Sequence, residues 1–372
     1  MHDSAPALDD FNALLDQAVA AGASDLHLAA GRVPLLRVHG DLQALDRPPW
    51  PAAAMEALRT HFAHGGRGAE WARNGSLDAG HTTPGGERFR LNLFRGLGRE
   101  GLVARHLDNR FRTMAQLGLP ERLHELSHLR DGLVLVTGAT GSGKSTTLAS
   151  LIDAINRHYP YHILTIEDPV EFVHEPARAA VTHRELHTDV PDFASAVRAG
   201  LREDPDVILI GELRDLETMG AAITAAETGH LVFSSLHTAD TVGTVERLTG
   251  VFPGDEQEAI RYRLSLTLRA VVSQRLVRRR DGAGRAPLVE ILIVTAAVSN
   301  LIATGRTKQI YSAIEGGGGL GMQTFDQSLA GAVRSGVLRA EDARAMARDG
   351  QAFDKLVARA APRTTGGLRG SQ

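Results

Sequence analysis

The sequence predicts an α/β protein: a parallel-strand-rich core that carries a phosphate-binding loop, preceded by a smaller α+β domain. Three observations predict it. From about residue 115 short apolar runs alternate with helix-periodic stretches, as strands joined by crossover helices require. The runs at residues 133–136, 163–166, 207–210, 231–234 and 288–294 lack polar alternation, which marks burial on both faces. Residues 138–146 read GATGSGKST, a complete GxxxxGK[ST] pattern placed directly after one of these runs.

In chain order, Leu8, Phe11, Leu15 and Val19 share one helical face, and Gly22 is a stop signal behind them. Short β-like segments follow at residues 25–29, 35–38, 88–94 and 102–107, with a helix over 52–63 between them. Phe89, Leu91 and Leu93 alternate with Arg88, Arg90 and Asn92, the pattern of a half-buried sheet. We therefore expect an α+β domain over residues 1–108, a linker over 109–118 and the core that carries the phosphate loop over 119–294. Within that core, helical spacing joins Phe193, Ala196, Val197, Gly200 and Leu201, and also Ile260, Leu264, Leu268, Val271 and Val272. A helical subdomain over 295–350, interrupted by a flexible Gly316–Gly319 run, and a flexible tail over 351–372 complete the expectation.

The phosphate loop needs its residue types. Gly138, Gly141 and Gly143 allow a tight turn whose backbone N–H groups converge on phosphates, with Thr140 and Ser142 between them. Lys144 reaches the β and γ phosphates, Ser145 offers its hydroxyl to Mg²⁺, and Thr146 opens a helix whose positive end faces the anion. ATP and Mg²⁺ are the expected ligands.

Composition bounds the partners. The 41 basic and 44 acidic residues nearly cancel to a formal charge of −3, so no global field favours nucleic acid or anionic lipid. With no cysteine there is no disulfide, thiolate zinc site or cysteine nucleophile. The opening MHDSAPALDD is not a secretory signal, and no apolar run approaches the roughly 18 residues of a membrane span, so no direct membrane insertion is expected.

Ligands of an open parallel sheet bind beyond the carboxyl ends of its strands, and those ends are polar here. Glu167-Asp168-Pro169-Val170-Glu171 follows one run, Gly211-Glu212 another, and Leu236-His237-Thr238 a third. A nucleotide hydrolase needs one carboxylate to hold Mg²⁺ and another to orient the attacking water. Glu167 and Asp168 equally fit a capping turn, Glu171 a solvated surface acid, and His237 a satisfied core histidine. Glu212, after four apolar residues, is the carboxylate most in need of a function.

With the phosphate loop, TIEDPVEF, REDPDVILIGELRD and AAETGHLVFSSLHT in that order, the chain resembles the type IV pilus retraction ATPases (PilT/PilU family) of the secretion-ATPase superfamily. The resemblance runs from ASDLHLAAG to GMQTFDQSL. It implies a homo-hexamer of subunits, each with a PAS-like N-terminal and a RecA-like C-terminal domain, whose ATP turnover drives pilus disassembly and twitching motility. By motif position it implies that Glu171 is the catalytic glutamate and Glu212 the Walker B glutamate, the latter helping Ser145 hold Mg²⁺ through water. His237 falls in the histidine box with His230, and Arg90 and Arg105 match N-terminal arginines that act on the phosphates, Arg88 less closely. An inner-membrane pilus platform protein, and a paralogous retraction ATPase, are the implied partners, at the cytoplasmic face of the inner membrane. The AIRNLIRE signature of retraction ATPases stands here as AVSNLIATG, with Ser299, Ala303 and Thr304 at its charged positions, while GMQTFDQSL and LRAEDA lean toward PilU. A pilus-assembly or type II secretion ATPase is the near alternative, commonly longer and with a four-cysteine zinc element; a RecA-like nucleic-acid motor is the distant one.

Overall fold

The computed structural model describes residues 4–107 and 110–358. Helix α1 (Ser4–Ala20) opens the chain, followed by strands β1 (Asp25–Ala29), β2 (Leu35–Val38) and β3 (Asp41–Ala44). Helices α2 (Ala52–Phe62) and α3 (Gly66–Asn74) and strands β4 (Ser76–Thr82), β5 (Arg88–Gly96) and β6 (Arg99–Leu107) complete this segment. Its six strands form one sheet in the order β3-β2-β1-β6-β5-β4, with antiparallel pairings throughout. The predicted alternation on β5 holds: Phe89, Leu91 and Leu93 are buried in a core with Phe11, Leu15 and Met55, while Arg88, Arg90 and Asn92 point to the other face. Strands β3 and β4 and helix α3 carry no clear period in the sequence; β3 is exposed along its length, so burial leaves no mark on it.

The second part of the chain runs α4 (Met114–Leu117), β7 (Gly132–Thr137), α5 (Lys144–His158), β8 (His162–Glu167), β9 (Ala180–Glu185), α6 (Phe193–Gly200), β10 (Val207–Ile210), α7 (Leu216–Glu227) and β11 (Leu231–Leu236). It continues through α8 (Thr241–Gly250), α9 (Gln257–Thr267), β12 (Leu268–Arg278) and β13 (Arg285–Ile293). Helices α10 (Ala296–Ala303), α11 (Ile310–Gly316), α12 (Phe325–Arg334), α13 (Ala340–Met346) and α14 (Gly350–Ala358) end it.

These elements gather into two compact units, Met1–Phe111 with Ile152–Val232, and Arg112–Leu151 with Phe233–Gln372. Besides its antiparallel sheet, the first unit holds the strand run β10-β8-β9, in which β8 pairs in parallel with both β10 and β9. The second holds the run β13-β12-β7-β11, in which β12 is parallel to β7 and antiparallel to β13. Every residue of β7, β10 and β11 is buried, as their unbroken apolar runs require. Asp192, Asp215 and Asp240 cap the helices that follow, each side chain accepting a backbone N–H three residues on.

Several expectations need correction. Leu268, Val271 and Val272 do not continue the helix through Ile260 and Leu264; that helix stops at Thr267 and they stand in β12. The spacing is helical by coincidence, and β-branched residues flanked by two strands favour the extended chain. Arg275 and Arg278 stand on the same strand, and Arg279 is in the following turn, paired with Asp281 at 2.9 Å. The glycine run forms a short 3₁₀ turn, Gly317–Leu320, against Met322. Of the expected flexible tail, residues 351–358 belong to α14, whose Phe353 is buried with Phe325 and Leu329; residues 359–372 lie outside the described residues, as do 108 and 109 of the expected linker.

Candidate nucleotide site

The expected site residues fall into two groups, one in each unit. In the second unit β7 delivers the chain into the phosphate loop and α5 begins at Lys144. Gly138, Gly141 and Gly143 have φ of 139°, 77° and 91°, in the region that favours glycine. Two of the three are also needed for space. A Cβ at Gly138 would stand 2.2 Å from the Gln274 carbonyl oxygen, and one at Gly143 would stand 2.7 Å from the Gln274 side-chain nitrogen. Gly141 faces open space and Thr140 is exposed with it.

Gln274, on β12, is thus the floor of the loop. It is buried, and its side-chain oxygen accepts from Thr147 Oγ1 at 2.8 Å, tying β12 to the first turn of α5. Beside it Thr137 and Ser273 hydroxyls meet at 2.6 Å. Lys144 is buried and donates to the carbonyls of Gly138 and Ala139 at 2.9 and 3.2 Å, which keeps its ammonium inside the loop. Ser142 Oγ is buried with no hydrogen-bond partner, a cost that an anionic oxygen in the loop would remove. Together with the N-terminus of a fifteen-residue helix, these features fit a phosphate ligand. Ser145 is exposed at the loop's end, where its hydroxyl is available to a cation, and Thr146 stands behind it on the same helix. His237, just beyond β11, is exposed, so it is not a core histidine.

In the first unit Glu167 ends β8, and the following loop brings Glu171 toward β5. Arg90 Nη1 stands 4.0 Å from Glu171 Oε1, and its Nε 3.6 Å from Asp78 Oδ1. All three side chains remain between 31% and 39% exposed, so this cluster faces solvent, with one guanidinium shared between two carboxylates. Arg105 sits apart from it: its Nε meets Asp25 Oδ1 at 2.8 Å and 67% of its side chain is exposed. Burial pushes the Glu167 carboxyl up to about 7, and the nearby Glu171 charge adds to that push. Burial also raises Asp168. Glu212, after β10, pairs with Arg214. His230 is spent locally, its Nδ1 within 3.0 Å of the Ala225 carbonyl and 3.1 Å of the Thr228 hydroxyl.

Two groups escaped the sequence reading. Gln274 was hidden by the helical spacing of its segment. Glu185, at the end of β9, is buried against Arg67 and Arg88, at 2.5 and 2.8 Å. Its only trace in the sequence is a charged residue in a weakly patterned strand.

Residues 1–313 match the family model described as "Type II/IV secretion system protein". The chain is 45% identical over 339 residues to the type IV pilus retraction ATPase PilT of Pseudomonas aeruginosa, covering 91% of this chain and 98% of that protein. It is 36% identical over 338 residues to the type IV pilus ATPase PilU of the same organism, covering 91% and 88%. A crystal structure of the pilus retraction motor PilT with bound ADP superposes with a TM-score of 0.83 at 40% identity, covering 92% of this chain and 98% of that one. The parallel strands and their phosphate loop are therefore a RecA-like ATPase fold.

Proposed function

This chain belongs to the type II/IV secretion system protein family, and we propose that it is a motor ATPase that drives type IV pilus retraction. The observation that carries the reading is its likeness to PilT over 98% of that protein's length, with the phosphate loop intact. The higher identity to PilT than to PilU supports a PilT-type role and runs against the lean of the C-terminal motifs toward PilU.

In this reading Lys144 and the loop N–H groups bind the ATP phosphates, and Ser145, helped by Glu212, would hold Mg²⁺. The cation would offset charge on the phosphate oxygens. Glu171 orients a water for in-line attack on the γ-phosphorus. The bond from that phosphorus to the β,γ-bridging oxygen breaks, ADP leaves, and Arg90 and Arg105 offset the charge that develops. His237 senses the nucleotide. The working form is a homo-hexamer on the cytoplasmic side of the inner membrane, acting on a pilus platform protein. Among the described residues no helix is long and apolar enough to cross a membrane.

An accessory, PilU-like role is favoured by one observation. Ser299 turns its hydroxyl inward to the Ser265 carbonyl at 2.7 Å, so α10 offers no charge where retraction ATPases carry one. The purified protein alone should hydrolyse ATP, and deleting its gene should leave long, unretracted pili. Loss of pili would point to assembly instead, and failure to restore twitching as the sole retraction ATPase would point to the accessory role.

A further inference from the structure

The backbone of Val170, the residue before Glu171, is held on both of its polar atoms. Its N–H donates to Glu185 Oε2 at 3.1 Å. Its carbonyl accepts from Arg88 Nε at 3.2 Å and Nη2 at 3.1 Å. Arg88 Nη2 in turn donates to that same Glu185 oxygen at 2.8 Å, and Arg67 Nη2 meets the other oxygen at 2.5 Å. Glu185 is itself fixed, its N–H donating to Asp189 Oδ2 at 2.8 Å.

We propose that Glu185 is a positioning residue for hydrolysis: clamped by Arg67 and Arg88, it fixes the Val170 peptide and so sets the direction of the Glu171 side chain. This rests on the reading of Glu171 as the group that orients the attacking water. A carboxylate buried between two guanidinium groups favours the arrangement that pairs both, and leaving any member unpaired is costly, so in that arrangement the peptide bonded to it is held tightly. The clamp also carries information along the chain. Arg67 comes from α3 and Arg88 from β5, so displacement of those N-terminal elements pulls on the peptide next to Glu171. The clamp can open because it borders a cavity of about 400 Å³, lined also by His61, His81 and His183, into which Arg88 can swing. Arg67 Nε, buried there without a partner, is a spare donor for a second arrangement. Motion of the N-terminal segment thereby gates hydrolysis without any change in the phosphate loop.

The test compares Glu185→Asp, Glu185→Gln and Arg88→Lys with Glu171→Gln in the full-length protein, measuring kcat, affinity for a fluorescent ATP analogue, and thermal melting. Arg88→Lys keeps the charge opposite Glu185 but loses the fork on the Val170 carbonyl, so it guards against a variant that simply unfolds. The expected result is a fall in kcat of about 10²-fold, the cost of roughly 1 Å of misplacement, with analogue affinity unchanged and Glu185→Asp less affected than Glu185→Gln. Folded clamp variants with full kcat, beside an inactive Glu171→Gln, overturn the clamp alone. So does a proportional loss of affinity and kcat, which marks a merely structural ion pair. A fully active Glu171→Gln removes the reading on which the clamp rests.

Discussion

Arg90 Nη1 and Glu171 Oε1 stand 4.0 Å apart, which pairs an arginine of the antiparallel sheet with the carboxylate of the loop after β8. The pair is about a third exposed, so its contribution to stability is small, of the order of 0–1 kcal/mol. In the proposed mechanism its importance lies in orientation. Glu171→Gln should lower kcat by about 10²- to 10³-fold while sparing ATP binding. If Arg90 acts on the same step as Glu171, Arg90→Ala should add little to Glu171→Gln, and steady-state rates of the two single variants and the double variant measure that coupling. Fully additive losses would separate their roles.

Lys144 is bonded to the carbonyls of its own loop, so its removal should spare the fold and weaken the ligand. Losing a charged hydrogen bond to phosphate is worth about 1.5–3 kcal/mol, or roughly 10- to 150-fold in affinity. Titration of Lys144→Ala with a fluorescent nucleotide, beside a circular-dichroism melt, checks both halves of that statement.

The loop glycines should differ in what they tolerate. Gly138→Ala meets the Gln274 carbonyl oxygen at 2.2 Å as well as an unfavourable φ, whereas Gly141→Ala meets only the φ, at 77°. The second should cost about 1–2 kcal/mol and the first clearly more. Equal denaturation midpoints for the two variants would contradict the tight seat of Gly138 on β12.

Stability should vary with pH in two opposed windows. His81 and His174 are pushed down by burial to about 4 and about 3, so the unfolded chain binds more protons and stability is lost as pH falls from 6.5 toward those values. Glu167 is raised to about 7, so the folded state binds the extra proton and stability falls as pH rises from 4.5 through 7. Glu167→Gln should therefore remove a loss of up to about 3 kcal/mol above pH 7. Urea melts of wild type and variant at pH 5 and pH 8 check this: the variant should gain at pH 8 relative to pH 5.

The sequence by itself determined the class of the core, the phosphate loop and the carboxylates at the strand ends. Each is a local pattern: unbroken apolar runs for β7, β10 and β11, fixed glycine spacing for the loop, and an acidic cluster directly after a strand for Glu171. The tertiary structure alone decided β12. A short apolar run takes its state from its neighbours, and with β7 on one side and β13 on the other the segment after Thr267 becomes a strand that places Gln274 under the loop. It alone also decided that Arg67 and Glu185, 118 residues apart, share a buried ion pair, because no local period records which distant charges burial forces together. Sequence named the groups suited to the chemistry, and long-range packing fixed where those groups stand and what holds them.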